Sequence, residues 1–270
     1  MEAAHLVQSP SRSPARHPLL RSHLTLIAVL LAAAVVAWLI TDDRMDGMDG
    51  GPGTDLGSLG FYVGAWVVMM AAMMFPSIAP MVLAYARIRS ARVGRAGGLA
   101  PAHWAIFVAG YLVIWTVFGL VAYGLFTLVR SFSIDAASWD RGGPYLAGGV
   151  IIAAALYELT PAKDACLRRC RGPFAFLTDA WRDGGVGALL MGAEHGLWCV
   201  GCCWALMAAL FALGVMSVGW MVLIAALIAA EKLLPGRAPS RAIAALLFVL
   251  GIAVSVVPDR VPLLTLPGMM

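Results

Sequence analysis

The chain has 270 residues, 61% of them hydrophobic and only 13% charged, with 19 basic against 15 acidic side chains. That balance excludes a soluble globular domain. The apolar residues fall in long runs without period-2 alternation, which excludes a membrane β-barrel.

Residues 1–23 form a Ser/Pro/Arg tail without periodicity, read as a mobile cytoplasmic segment. Seven apolar runs follow, at about 24–40, 61–85, 103–129, 144–160, 186–212, 215–233 and 241–257. Most reach the ~17–25 residues that a helix needs to span hydrocarbon, and helices satisfy their own backbone groups there. The first run ends Trp38-Leu39-Ile40 without a small-residue cleavage pattern, so it reads as a retained span rather than a signal peptide. The expected fold is all-α: a polytopic membrane bundle of about seven transmembrane helices occupying 24–257, with a short external tail at 258–270.

Fifteen of the nineteen basic residues lie in the N-terminal tail and in the segments 86–102, 161–185 and 231–241. Seven spans put all fifteen on one side. The positive-inside rule then places the N-terminus in the cytoplasm and the C-terminus outside. Orientation accounts for the basic loops, so no nucleic-acid partner is inferred. The lipid bilayer is the expected surrounding, in a bacterial inner membrane.

The loop 41–60 carries a tandem Met-Asp-Gly, read as a flexible acidic linker. The second run holds Met69, Met70, Met73 and Met74, followed by Pro76, Ser77 and Pro80. The two prolines should bend the helix. A methionine stripe is usually packing. Depth along the spans nevertheless places Met69 and Met73 level with a group of soft donors in span five. In span three, Trp104, Tyr111, Trp115 and Tyr123 read as packing or interfacial anchors.

Span four ends in Glu158, which needs a partner so close to hydrocarbon; Lys163 and Lys232 are the candidates. Cys166 and Cys170, four residues apart, share a face if that stretch is helical. Arg168, Arg169 and Arg171 beside them would favour thiolates. Span six ends in Glu231 and Lys232. These point about 100° apart on a helix and could join Glu158 and Lys163 in a charged lock.

Span five contains His195, Cys199, Cys202 and Cys203 at i, i+4, i+7 and i+8, an arc about 100° wide. One cysteine in a buried helix is a small hydrophobe. Three within a single turn, beside a membrane histidine, suggest a metal, and soft ligands suggest Cu(I) or Zn(II). Gly192 and Gly196 point to the same side and would let another helix approach, turning the ligand face inward. The expected primary ligands are Cys199, Cys202 and His195. Cys203 and Met73 complete or exchange the coordination, and Met69 lies nearby. Cys166 and Cys170 form a second, cytoplasmic transfer site. The rival reading is a membrane thiol–disulfide protein using Cys199 and Cys202 with a lipid-borne electron carrier. A third is an assembly subunit whose sulfur face only packs.

The combined motifs resemble a known family. They are Met69-Met70-Ala71-Ala72-Met73-Met74-Phe75-Pro76-Ser77, then Tyr157-Glu158-Leu159-Thr160-Pro161-Ala162-Lys163 with Cys166 and Cys170, then His195-Gly196 with Cys199, Gly201-Cys202-Cys203-Trp204 and Met207, then Glu231-Lys232 with Pro235. Over about residues 60–235 the chain is similar to a bacterial family of polytopic proteins, described as metal-binding integral membrane proteins and sometimes labelled copper chaperones. The resemblance implies a protein that handles metal, with a cuproenzyme or other metal-accepting protein as partner; whether it is also an enzyme stays open, a non-enzymatic role being favoured. The oligomeric state stays open, a homo-oligomer included.

Overall fold

The structure is a computed structural model that describes residues 16–45, 56–93, 101–131, 142–262 and 264. The Met-Asp-Gly repeat and most of the two terminal tails fall outside the described residues. Within them the chain is helical and no strand occurs. Each of the seven apolar runs becomes a helix. These are α1 (Arg16–Met45), α2 (Leu59–Val93), α3 (Pro101–Ser131), α4 (Gly143–Glu158), α7 (Gly184–Leu213), α8 (Val218–Leu233) and α9 (Ala238–Val256).

Five of the seven, α1, α2, α3, α7 and α9, are long and apolar enough to cross a membrane. The other two, α4 and α8, have 16 residues each. At 1.5 Å per residue that is about 24 Å, short of the ~30 Å hydrocarbon core.

Two further helices stand where a loop was expected, α5 (Pro161–Arg171) and α6 (Pro173–Ala180). Local chemistry explains α5. The Thr160 side chain accepts the Lys163 backbone N–H at 3.2 Å, Pro161 opens the helix and Asp164 lies in its first turn. Its last turn carries Arg168, Arg169 and Arg171, all favourable at a helix C-terminus. The chain turns by 67° between α4 and α5. Helix α2, expected to bend at its prolines, continues as one helix through Pro76 and Pro80. Beside the prolines, the Ser77 hydroxyl donates to the Met74 carbonyl at 2.9 Å.

Helix α7 lies against α3, α4 and α5, while α2 lies against α1, α3 and α8. Glycines set the α3–α7 distance, as the spacing of Gly192 and Gly196 predicts. A Cβ on Gly192 would sit 1.9 Å from the Phe107 carbonyl oxygen, and one on Gly110 would sit 2.1 Å from that of Leu189. No side chain fits at either place. Helices α2 and α3 are tied by the Trp66 indole N–H donating to the Trp115 carbonyl at 2.8 Å and by the Tyr62 hydroxyl donating to that of Gly119 at 3.1 Å.

Polarity is distributed inside out. Val35, Leu39, Val121, Leu156, Val249 and Val256 are exposed, whereas Glu158, Lys163, His195 and Glu231 are buried.

Candidate metal centre

The ligand face of α7 turns inward. Cys199, Cys202 and Cys203 are each at most 1% exposed. Their sulfurs all lie within 4.8 Å of one another, and among the described residues they are the cluster of His, Cys and carboxylate donors tight enough for a metal. Spacings i, i+3 and i+4 put the three on one turn. The Cys199 and Cys203 sulfurs are 3.8 Å apart. A tetrahedral site with metal–sulfur bonds of about 2.3 Å needs sulfurs about 3.8 Å apart, so little movement separates this cluster from a ligand set. The Cys202 and Cys203 thiols both point back to the Cys199 carbonyl oxygen, at 3.1 and 2.8 Å. That is a common local arrangement for a small donor on a helix.

Cys199 is the centre of the cluster, and two groups from other helices reach its sulfur. The Tyr111 hydroxyl on α3 is 3.0 Å away, and the Lys232 ammonium on α8 donates to the same sulfur at 3.0 Å. Lys232 also donates to the Ser77 hydroxyl on α2 at 3.2 Å. Two helices, α3 and α8, thus converge on one sulfur of α7, and α2 joins them through Lys232. The sequence signal for Tyr111 was lost among the aromatic anchors of its span. Lys232 was assigned only to the charged lock.

That lock forms without Lys232. The Lys163 ammonium bonds Glu158 and lies 2.8 Å from Glu231, with all three side chains buried. Glu231 and Lys232 point in different directions, one to Lys163 and the other to the cysteines.

Cys170 approaches the cluster. Its sulfur is 3.7 Å from that of Cys202, which joins α5 to the cluster. Cys166 faces α7 one turn earlier, against Gly201, where an added Cβ would be 2.8 Å from its sulfur. Two of the three arginines beside these cysteines are engaged elsewhere. Arg169 pairs with Asp179 at 3.2 Å and lies over the Trp198 ring, and Arg171 donates to the carbonyls of Glu231 and Gly236. Burial, with Cys202 adding to it, pushes the Cys166 thiol up from its ordinary value, while Lys163 opposes.

His195 is 2% exposed, one turn before Cys199. Its ring lies among Phe176, Tyr111 and Phe107, with centroids 5.4, 5.9 and 6.2 Å away, and its Nδ1 is buried without a partner. It is adjacent to the three-sulfur group and not a member of it.

The methionines of α2 are buried. Trp66 meets Phe211 with ring centroids 5.8 Å apart, and Ser77 reaches Cys199 through Lys232. One of these links is a direct ring contact and the other passes through Lys232 of α8, so α2 and α7 run in opposite directions. Met69 lines a small void with Tyr62, Trp66 and Met216.

No curated protein and no solved structure matches the chain. The family model described as PpoB2, copper chaperone, matches residues 63–254, which reaches past the 60–235 core expected from the motifs and takes in α9. The chain belongs to that copper chaperone family.

Proposed function

We propose that the protein is a multi-pass protein of the bacterial inner membrane that binds Cu(I) and passes it to a metal-accepting protein. The observation that carries this reading is the fully buried group of Cys199, Cys202 and Cys203, with sulfurs within 4.8 Å of one another. Soft sulfur donors suit Cu(I), and an apolar surrounding disfavours hard ions that would keep their water. Zn(II) is the competing ion for the same donors.

Within this reading Cys199 and Cys202 are primary ligands, and Cys203 and Met73 complete or exchange the coordination. His195, buried one turn before Cys199, is the third primary ligand of this reading. Cys166 and Cys170, both partly exposed, lead from the basic end of the bundle to Cys202. An ion changing partners along that sulfur row never needs to be released to water. The apolar exteriors of α1, α3 and α9 support seven membrane helices, α4 and α8 being the short ones. The charge asymmetry supports an N-terminus in the cytoplasm and a C-terminus outside.

The test is metal analysis of the full chain purified under reducing conditions and loaded with Cu(I). One copper per chain is expected, lost in Cys199→Ser and in Cys202→Ser. A wild-type chain that holds no copper, or a double variant that keeps it, overturns the reading.

A second reading is favoured by one contact, the Cys170–Cys202 approach at 3.7 Å. Those two thiols could pass two electrons and two protons to a lipid-borne quinone and become a disulfide. Thiols that cycle with quinone in metal-free protein would support it.

A further inference from the structure

Methionine fills irregular gaps in a core, because its unbranched chain and polarizable sulfur adapt to them. At one end of the bundle three methionines border a gap that none of them fills. Met45 closes α1, Met69 lies near the start of α2, and Met216 sits in the connection between α7 and α8. All three are buried. Gly214 ends α7 with a φ of +114°, a backbone angle that favours glycine, and the turn it makes keeps Met216 against the bundle.

With Tyr62 and Trp66 the three methionines line a cavity of about 10 Å³, room for one small guest. The lining turns no oxygen or nitrogen into the space. Its two polar side chains are committed elsewhere. The Tyr62 hydroxyl donates to the Gly119 carbonyl at 3.1 Å, and the Trp66 indole N–H donates to that of Trp115 at 2.8 Å. A water molecule needs polar partners, and this space offers none. What it offers is thioether sulfur and two aromatic rings, stacked with centroids 5.7 Å apart.

We propose that Met45, Met69 and Met216 form a second metal site, selective for a monovalent soft cation. This extends the reading that the chain carries Cu(I), and rests on it for the supply of the ion.

Thioethers carry neither charge nor an exchangeable proton. They are soft donors that suit Cu(I), whereas Zn(II) takes thiolate, imidazole or carboxylate. Neutral ligands leave the charge of the ion uncancelled, so in an apolar bundle a divalent ion costs far more than a monovalent one. Aromatic rings beside the cavity favour a cation further.

The position of the cavity gives the site its role. Helix α7 starts next to the basic segment 161–185 and carries the cysteines in its middle. The cavity lies at the other end of α7, about ten residues or roughly 15 Å past Cys203. Met207, buried, stands one turn after Cys203 in that direction. Sulfur therefore marks both ends of the bundle as well as its middle. An ion that leaves thiolates for neutral thioethers reaches a weaker site from which it is more readily released.

The experiment uses the full chain in detergent under reducing conditions, dialysed against Cu(I) buffered by a chromogenic chelator. Copper is counted at equilibrium and again after gel filtration. Copper that survives gel filtration belongs to the cysteines, and the methionine site should show as one further, loosely held ion. Met45→Leu/Met216→Leu, a volume-conserving change, should lose that ion and keep the copper that survives gel filtration. Cys199→Ser/Cys202→Ser/Cys203→Ser should keep the loose ion alone. Its affinity should not change with pH near neutrality, and an equal amount of Zn(II) should not displace it. If the methionine double variant does not fold, Met216→Leu alone should weaken the loose site by at least about tenfold. Equal equilibrium copper in wild type and the methionine variant, or displacement by Zn(II), overturns the inference and leaves the cysteine site intact. A loose, methionine-dependent ion in a wild type that keeps no copper through gel filtration supports the inference and overturns the reading of the cysteines instead.

Discussion

The sulfur of Cys170, on a short helix of the basic segment, lies 3.7 Å from the sulfur of Cys202, in the middle of a long apolar helix. Two residues from parts of the chain with opposite character are thereby joined. A disulfide needs sulfurs about 2.05 Å apart, a small movement from here. Mild oxidation of the metal-free chain should link Cys170 to Cys202 in preference to other pairs. Peptide mapping would detect the cross-linked α5–α7 fragment. The oxidised chain should lose copper capacity and recover it on reduction. If mapping finds Cys170 linked elsewhere or free, the contact does not exist in the protein.

The closeness of α3 to α7 puts Tyr111 on Cys199, and that closeness depends on Gly110 and Gly192. Alanine at either position would drive a methyl into a carbonyl oxygen of the facing helix, 1.9–2.1 Å away in the present arrangement. Backbone cannot step aside as a flexible side chain can. Gly192→Ala should therefore cost more than the ~1–3 kcal/mol typical of overpacking, and it should weaken copper binding without altering any ligand. Thermal unfolding in detergent, with metal loading of the folded fraction, measures both. By contrast, Gly201→Ala meets only the free end of the Cys166 side chain and should fold normally.

The cysteines were legible in the sequence because residue type and spacing carry their chemistry by themselves. Positions i, i+3 and i+4 share a turn whatever the surroundings. The same is true of Gly192 and Gly196, whose partner was unnamed but whose face was readable. Tyr111 and Lys232 were not legible. Each lies on a different helix, and its relation to Cys199 depends on how three helices rotate against a fourth. The sequence says that Glu231 and Lys232 diverge by about 100°, but not which of them turns toward sulfur. Helix α5 opens on Thr160-Pro161 and Asp164, which are helix-start signals, but its run of charges reads equally well as a basic loop. Pro76 and Pro80 lie inside one continuous helix, since a long apolar helix held by neighbours continues past a missing hydrogen bond.

Glu158, Lys163 and Glu231 bring α4, α5 and α8 together at a buried point with two carboxylates and one ammonium. Removing the ammonium alone leaves both acids without their cation. Lys163→Met should destabilise the chain by about 3–5 kcal/mol, the usual result of breaking a buried pair from one side. Combining it with Glu158→Gln and Glu231→Gln removes the stranded charges and should recover much of that loss. Thermal unfolding of the single and triple variants decides the matter. Equal losses in both would mean that packing, rather than charge, holds this junction.

Tyr111→Phe isolates a single oxygen. The ring remains to stack against His195 and Trp115, at centroid distances of 5.9 and 6.5 Å, while the hydroxyl 3.0 Å from Cys199 is lost. Hydrogen bonds to charged groups are worth about 1.5–3 kcal/mol, which corresponds to about a 10–150-fold change in a binding constant. If the hydroxyl supports a thiolate at Cys199, Cu(I) affinity in Tyr111→Phe should fall toward that range while the unfolding temperature stays near wild type. The Cu(I)-to-Zn(II) ratio should stay near wild type, because a neutral donor supports the thiolate equally for either ion. Unchanged Cu(I) affinity would mean that the tyrosine only fills space, and Cys199 would then have Lys232 as its one functional neighbour from another helix.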